Sequence, residues 1–110
     1  KHNIYTDGVV KMSQKSILKE DTKIIIKKPK MYKVLVHNDD YTTMEFVIEV
    51  LVKVFKKQVI EATKIMYDVH RIGMGVAGVY SYDIAATKTV QAVNMAEESG
   101  FPLKFSMEEE

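Results

Sequence analysis

At residue 31 the sequence changes its rule. Met31-Tyr32-Lys33-Val34-Leu35-Val36-His37 is a run rich in strand formers. It stops at Asn38-Asp39-Asp40, whose short polar side chains bond their own backbone and turn the chain. Thr42-x-x-Glu45 then reads as a capping box, the Thr42 hydroxyl accepting from an orphan helix N–H while Glu45 reaches back to the cap. Behind it Val47, Val50, Leu51 and Val54 recur at the three-and-four spacing of a buried helical face, supported by Phe46 and Phe55, as far as Lys56-Lys57. A strand, a polar turn and an apolar-faced helix in immediate succession call for a mixed fold, in which sheet and helix bury one face each against the other.

The remaining elements follow by the same reasoning. A second helix is expected from about Ile60 to Ile72, with Ala62, Ile65, Met66 and Val69 on one side and Gly73-Met74-Gly75 ending it. Val76-Ala77-Gly78-Val79-Tyr80 reads as a short strand, and Ser81 as the cap of a third helix that buries Ile84, Ala85, Ala92, Val93 and Ala96 until Ser99-Gly100. After Pro102, Leu103, Phe105 and Met107 alternate with Lys104 and Ser106, a strand with one wet face, and Glu108-Glu109-Glu110 forms a polar end. The expected fold class is α+β in the order β-α-α-β-α-β, with three helices on one face of a small, mainly antiparallel three-stranded sheet.

With 110 residues there is room for one core. Hydrophobic residues make up 46% and charged residues 28%, too apolar for a disordered chain. The absence of cysteine excludes disulfides and thiolate metal sites. No apolar run approaches the ~20 residues of a membrane span, and no signal-like apolar region follows the basic N-terminus, so a cytoplasmic location is the default expectation. Residues 1–30 carry eight Lys against Asp7, Glu20 and Asp21, a balance of +5, whereas residues 31–110 carry eight basic and twelve acidic groups, a balance of −4. Residues 1–29 therefore read as a flexible basic extension, with Met12 a plausible start and residues 1–11 upstream sequence, and residues 30–110 as the folded core. The extension has no Arg and no regular aromatic interleaving, which argues against nucleic acid as a partner.

Two features carry potential chemistry. Asn38-Asp39-Asp40 sits between a strand and a helix, where polar groups are presented on a rigid scaffold, although turn and cap formation alone would account for it. Met66, Val69 and His70 form one contiguous helical patch of two apolar side chains beside an imidazole, which on its own reads equally as the edge of a core. Brought together by the helical hairpin, the two would make an apolar hole with acceptors at its rim. Adjacent Asp39 and Asp40 with the single imidazole of His70 supply too few ligands for a metal, and no nucleophile or phosphate-binding motif is present, so neither a metal, a cofactor nor catalysis is expected.

The stretches Asn38-Asp39-Asp40-Tyr41-Thr42, Met44-Glu45-Phe46-Val47, Val69-His70, Ala86-Thr87-Lys88 and Phe101-Pro102-Leu103, with Met31-Tyr32-Lys33-Val34 and Met66, resemble the ClpS family, adaptors of the bacterial ATP-dependent Clp protease. The resemblance spans roughly residues 30–107. It implies a non-enzymatic adaptor that captures N-degrons, proteins whose first residue is Leu, Phe, Tyr or Trp, and hands them to a ClpA-type AAA+ unfoldase. Carried over, Asn38, Asp40 and His70 would hold the substrate's α-amino group, with Asp39 adding nearby negative charge. Met44, Met66, Val69 and Leu103 would line the side-chain pocket, helped by Thr42 and Val47. Tyr41, Asp83 and Lys88 would belong to the surface that docks the N-terminal domain of the unfoldase. Two departures from the family pattern are Thr43, where Pro is common, and His37, in place of an aliphatic residue.

Physical reasoning agrees with recognition in two parts. Burying one large apolar side chain gives ~1.5–3 kcal/mol, short of the ~8 kcal/mol of a micromolar complex. Charge-assisted hydrogen bonds from an α-ammonium add ~1.5–3 kcal/mol each, and only a free N-terminus offers them. An imidazole that accepts from an ammonium must be neutral on the facing nitrogen, so capture should weaken on acidification. A stalk-protein-like module that docks translation factors shares the expected element order, but it leaves Asn38, Asp40 and His70 without a role. A nucleic-acid binder using the basic arm and a small hydrolase around Asp39, Asp40 and His70 are the other readings. A monomer is the default expectation.

Overall fold

The computed structural model describes residues 28–110. The basic extension expected over residues 1–29 therefore lies outside the described residues, save Lys28 and Pro29. The elements run β1 (Met31–His37), α1 (Met44–Lys53), α2 (Val59–Ile72), β2 (Met74–Ser81), α3 (Tyr82–Glu98) and β3 (Lys104–Glu109), the β-α-α-β-α-β order read from the sequence. The strands form one sheet in the order β2-β1-β3, and both pairings are antiparallel.

β1 is central because it is the strand with two neighbours and the most apolar interior. Alternation along it sends Val34 and Val36, 0% and 1% exposed, into the core under the helices. Leu35 faces the other way and is covered by its cross-strand neighbours Val76 and Ser106. Between Val34 and Leu35 the register with β2 slips by one residue, leaving Ala77 bulged. Gly78 allows the Tyr80 ring to fold back along its own strand, since a Cβ at Gly78 would collide with that ring. Tyr80 and Phe105 flank Phe55 at ring-centroid distances of 6.4 and 6.1 Å, tying β2 and β3 to the segment after α1.

The helices cover one face. Phe46, Val47, Val50 and Leu51 are the buried residues of α1, and Ala62, Met66 and Val69 those of α2. α3 buries only Ala85, Ala92 and Ala96, so its backbone can approach the sheet closely. Ile84, expected in the core, is instead 50% exposed: Ala85 occupies the sheet-facing position and leaves Ile84 turned aside. Other local expectations also need correction. α1 ends at Lys53 rather than at Lys56-Lys57, because Lys56 adopts a left-handed backbone with φ 57°. β2 is longer than expected, starting at Met74, and β3 takes in Glu108 and Glu109, whose backbones pair with Lys33 and Tyr32 although their side chains are exposed.

Lys88 closes the packing between helices. Its ammonium donates to the carbonyl of Val54, the residue capping the C-terminus of α1, at 2.8 Å and lies 5.5 Å from the centre of the Tyr80 ring. A cation at the negative end of a helix and over an aromatic face is favoured on both counts.

Candidate binding site

Two segments distant in sequence meet at the end of the sheet. The loop after β1 is tied to the end of α2 by a backbone hydrogen bond, the Asn38 N–H donating to the Gly73 carbonyl at 2.9 Å. Gly73 caps α2 with φ 103°, a left-handed conformation in which any other residue is strained, and so aims that carbonyl at the loop. His70 lies in the last turn of α2, which brings it to the same corner as Asn38.

Asp39 builds the loop from within. Its Oδ1 accepts from the Tyr41 N–H at 2.8 Å and the Thr42 N–H at 2.7 Å, and its Oδ2 from the Thr42 hydroxyl at 2.7 Å. Burial pushes the Asp39 carboxyl up, but the Thr42 amide and hydroxyl, the Tyr41 amide and the charge of Lys104 outweigh it and hold the group below its ordinary 3.8. Thr42 is therefore not the helix cap expected from Thr-x-x-Glu. That role falls one residue later to Thr43, whose hydroxyl accepts from the Phe46 N–H at 3.1 Å, because the Asp39 carboxylate has claimed the Thr42 hydroxyl.

The result is an open pocket of about 460 Å³ lined by Asn38, Asp39, Asp40, Thr42, Thr43, Met44, Glu45, Val47, Met66, Val69 and His70. Val47, Met66 and Val69 make its apolar wall and are at most 5% exposed. Met44, 39% exposed, stands at the mouth. Asn38, Asp40 and His70 are exposed, and their side chains make no hydrogen bond among the described residues, so their polar capacity faces the cavity and solvent. The pocket thus combines a greasy wall with acceptors at its rim. The C-terminal end of α2, which carries His70, adds the negative pole of a helix dipole, while Glu45 in the first turn of α1 offsets the positive pole on the opposite side.

Several residues lie elsewhere. Leu103, placed on the pocket wall by the resemblance, does not line this cavity: it is 5% exposed in the core and borders a separate depression with Val93, Phe101 and Phe105. Tyr41, 76% exposed, sits beyond the His37 end of β1, whereas Asp83 follows Ser81, the partner of Met31 at the other end. The seven residues of β1 separate those ends by roughly 20 Å. Lys88, as described above, points its ammonium inward. Thr43 and Glu45 also line the pocket, beyond the residues the sequence points to; their place at the cap and in the first turn of the helix after the polar loop is the signal for it.

Among the described residues, no helix is long and apolar enough to cross a membrane. Residues 27–106 match the family described as ATP-dependent Clp protease adaptor protein ClpS. The ATP-dependent Clp protease adapter protein ClpS of Acetivibrio thermocellus is 57% identical over 99 residues, covering 90% of this chain and 100% of that protein. That of Clostridium acetobutylicum is 61% identical over 84 residues, 76% of this chain and 83% of that protein. Agrobacterium tumefaciens ClpS2, solved bound to L-phenylalaninamide, superposes with a TM-score of 0.72 at 44% identity over 76% of this chain and 100% of that one. Sequence, fold and solved relative agree, and the chain belongs to the ClpS family of adaptors of the ATP-dependent Clp protease.

Proposed function

We propose that this adaptor captures proteins by a free α-amino group together with a bulky hydrophobic first residue, Leu, Phe, Tyr or Trp, and delivers them to a ClpA-type AAA+ unfoldase. The observation that carries the reading is the pocket itself, an apolar wall of Val47, Met66 and Val69 beneath a rim where Asn38, Asp40 and His70 keep their hydrogen-bonding groups free of protein partners among the described residues. L-phenylalaninamide, the ligand of the Agrobacterium relative, has an α-amine and an aromatic side chain, the two groups such a pocket accommodates.

The first side chain enters between Met66 and Val69, where an unbranched thioether adapts to Leu and to flat rings alike. The ammonium lies at the rim, donating to Asn38 Oδ1, to Asp40 directly or through water, and to a ring nitrogen of His70. Asp39 acts at one remove, holding the loop that presents its neighbours and adding negative charge. Met44 at the mouth disfavours a first residue branched at Cβ. Neither half suffices: side-chain burial yields ~1.5–3 kcal/mol, and the charge-assisted bonds supply much of the remainder of a micromolar affinity. For delivery, Asp83 on the exposed start of α3 is the docking candidate best supported by its placement, and a partner that also touched Tyr41 would have to span roughly 20 Å along the sheet.

The test is affinity for short peptides that differ only in residue one, each with an N-acetylated control. Leu-, Phe-, Tyr- and Trp-initiated peptides should bind, Ile- and Val-initiated ones weakly, and acetylation should abolish capture. Equal binding of the acetylated peptides would refute the reading. Delivery is checked by unfoldase-dependent degradation of a Leu-initiated reporter, which Asp83→Arg should slow without altering peptide affinity.

A further inference from the structure

A residue captured by its free end has three groups on Cα besides hydrogen: the ammonium, the side chain and the carbonyl through which the chain continues. The capture proposed above, on which this inference rests, fixes two of them. The ammonium takes the rim formed by Asn38, Asp40 and His70, and the side chain turns down to Val47, Met66 and Val69. A tetrahedral carbon then sends its carbonyl toward the lining that is left, Thr42, Thr43, Met44 and Glu45 at the start of α1. A carbonyl oxygen drawn into the mouth gives up water and needs a donor in return.

Most side chains of that segment have none to offer. Met44 carries no donor, and an ionised Glu45 only accepts. The Thr42 hydroxyl and N–H both donate to Asp39, at 2.7 Å each, and the Tyr41 N–H does the same at 2.8 Å. Thr43 differs. Its Oγ1 accepts from the Phe46 N–H at 3.1 Å, and its own proton has no acceptor among the described residues. A hydroxyl donates and accepts at once, so the capping bond leaves that proton free. The same bond holds an exposed side chain in one rotamer, so the donor stands at the mouth before a ligand arrives.

We infer that the Thr43 hydroxyl donates to the carbonyl oxygen of the captured first residue and so makes a third point of recognition. Amine and side chain alone describe any hydrophobic amine, whereas amine, side chain and carbonyl together describe the start of a polypeptide. The bond also gives the captured chain a direction, out over Met44 and the first turn of α1 and away from the His70 end of α2.

Competition against a labelled Leu-initiated peptide gives the affinity of the full chain for L-phenylalaninamide and for phenethylamine, which has an amine and a ring but no carbonyl. Thr43→Val removes the hydroxyl. Thr43→Asp keeps an oxygen that can cap the Phe46 N–H but has no proton to give at neutral pH, and Thr43→Ser keeps both functions. The ratio of amide to amine affinity should fall about threefold to tenfold in Thr43→Val and Thr43→Asp and stay within about twofold of wild type in Thr43→Ser. The first backbone N–H groups of α1, free at a helix start, are the same in every variant, so the change isolates the hydroxyl. Circular dichroism checks that each variant is folded. A hydroxyl that served only the helix would lower both affinities alike, so a ratio unchanged in Thr43→Val or Thr43→Asp overturns the inference and leaves capture by amine and side chain standing. A ratio lowered as far by Thr43→Ser as by Thr43→Val overturns it as well. If neither compound competes with wild type, the capture reading falls and the inference falls with it.

Discussion

Asp39 and Asp40 are neighbours with the same side chain, and the structure assigns them separable consequences. Asp39→Ala removes three acceptor contacts of 2.7–2.8 Å that hold the loop. Each hydrogen bond contributes ~0.5–1.5 kcal/mol net, more to a charged acceptor, and partial exposure lets water replace some of what is lost, so the cost is about 1.5–3 kcal/mol. At an m-value of ~1–2 kcal/mol/M this lowers the urea midpoint by ~1–2 M. Asp40 is exposed and makes no side-chain hydrogen bond among the described residues, so Asp40→Ala should stay within ~0.5 kcal/mol of wild type while raising the dissociation constant of a Leu-initiated peptide ~10–100-fold. Acid removes the contribution of Asp39. The folded-state pKa of Asp39 lies below its ordinary 3.8, so the ionised group contributes stability above that value and loses it as the pH falls through the folded one. The stability gap between wild type and Asp39→Asn should therefore narrow below about pH 4. Equal urea midpoints for Asp39→Ala and Asp40→Ala, or a gap that widens with acid, would refute the separation of roles.

His70→Ala removes one exposed acceptor from the rim and should raise the dissociation constant of a Leu-initiated peptide about tenfold while leaving the urea midpoint close to that of wild type. Asn38, Asp40 and Glu45 line the same pocket, so an affinity unchanged by that substitution would count against the imidazole as one of the groups that hold the amine. Lys88→Met leaves the Val54 carbonyl without its cation and should cost about 1–2 kcal/mol, lowering Tm by several degrees with peptide capture intact. An unchanged Tm combined with lost delivery would instead make Lys88 a docking residue rather than a helix clamp.

Period and punctuation made the order of elements legible in the sequence. Val34 and Val36 against Leu35, the buried face of α1 and the glycine after Ile72 are local signals, and the fold reproduces them. Sequence pattern and structure part where two adjacent residues compete for one role. Thr42 and Thr43 are equally good caps by type, and the choice fell to Thr43 because Asp39, three residues before Thr42, engages the Thr42 hydroxyl. Ile84 and Ala85 competed for the sheet-facing position, and close helix–sheet contact selected the smaller. Leu103 has the apolar character of a pocket residue and shares the core cluster of Val47, Met66 and Val69, yet whether it reaches the cavity surface depends on where the chain enters β3, which no local pattern encodes. The contact that assembles the site, Asn38 N–H to Gly73 carbonyl, is backbone to backbone and carries almost no residue signature beyond the glycine itself.

The pocket wall is also the protein's core, and this limits how the site can vary. Val47, Met66 and Val69 are as buried as Val54 and Leu103 and belong to the same apolar cluster, so each both receives a ligand and holds α1 and α2 together. Truncating Met66 to alanine would deepen the cavity for a larger first residue but forfeit about 2–5 kcal/mol of packing, a large part of the stability of a domain this size. The rim is under no such constraint, since Asn38, Asp40 and His70 are exposed and outside that cluster. Selectivity should therefore drift through Met44, half in solvent at the mouth, and through the rim, while the wall changes only by swaps that conserve volume.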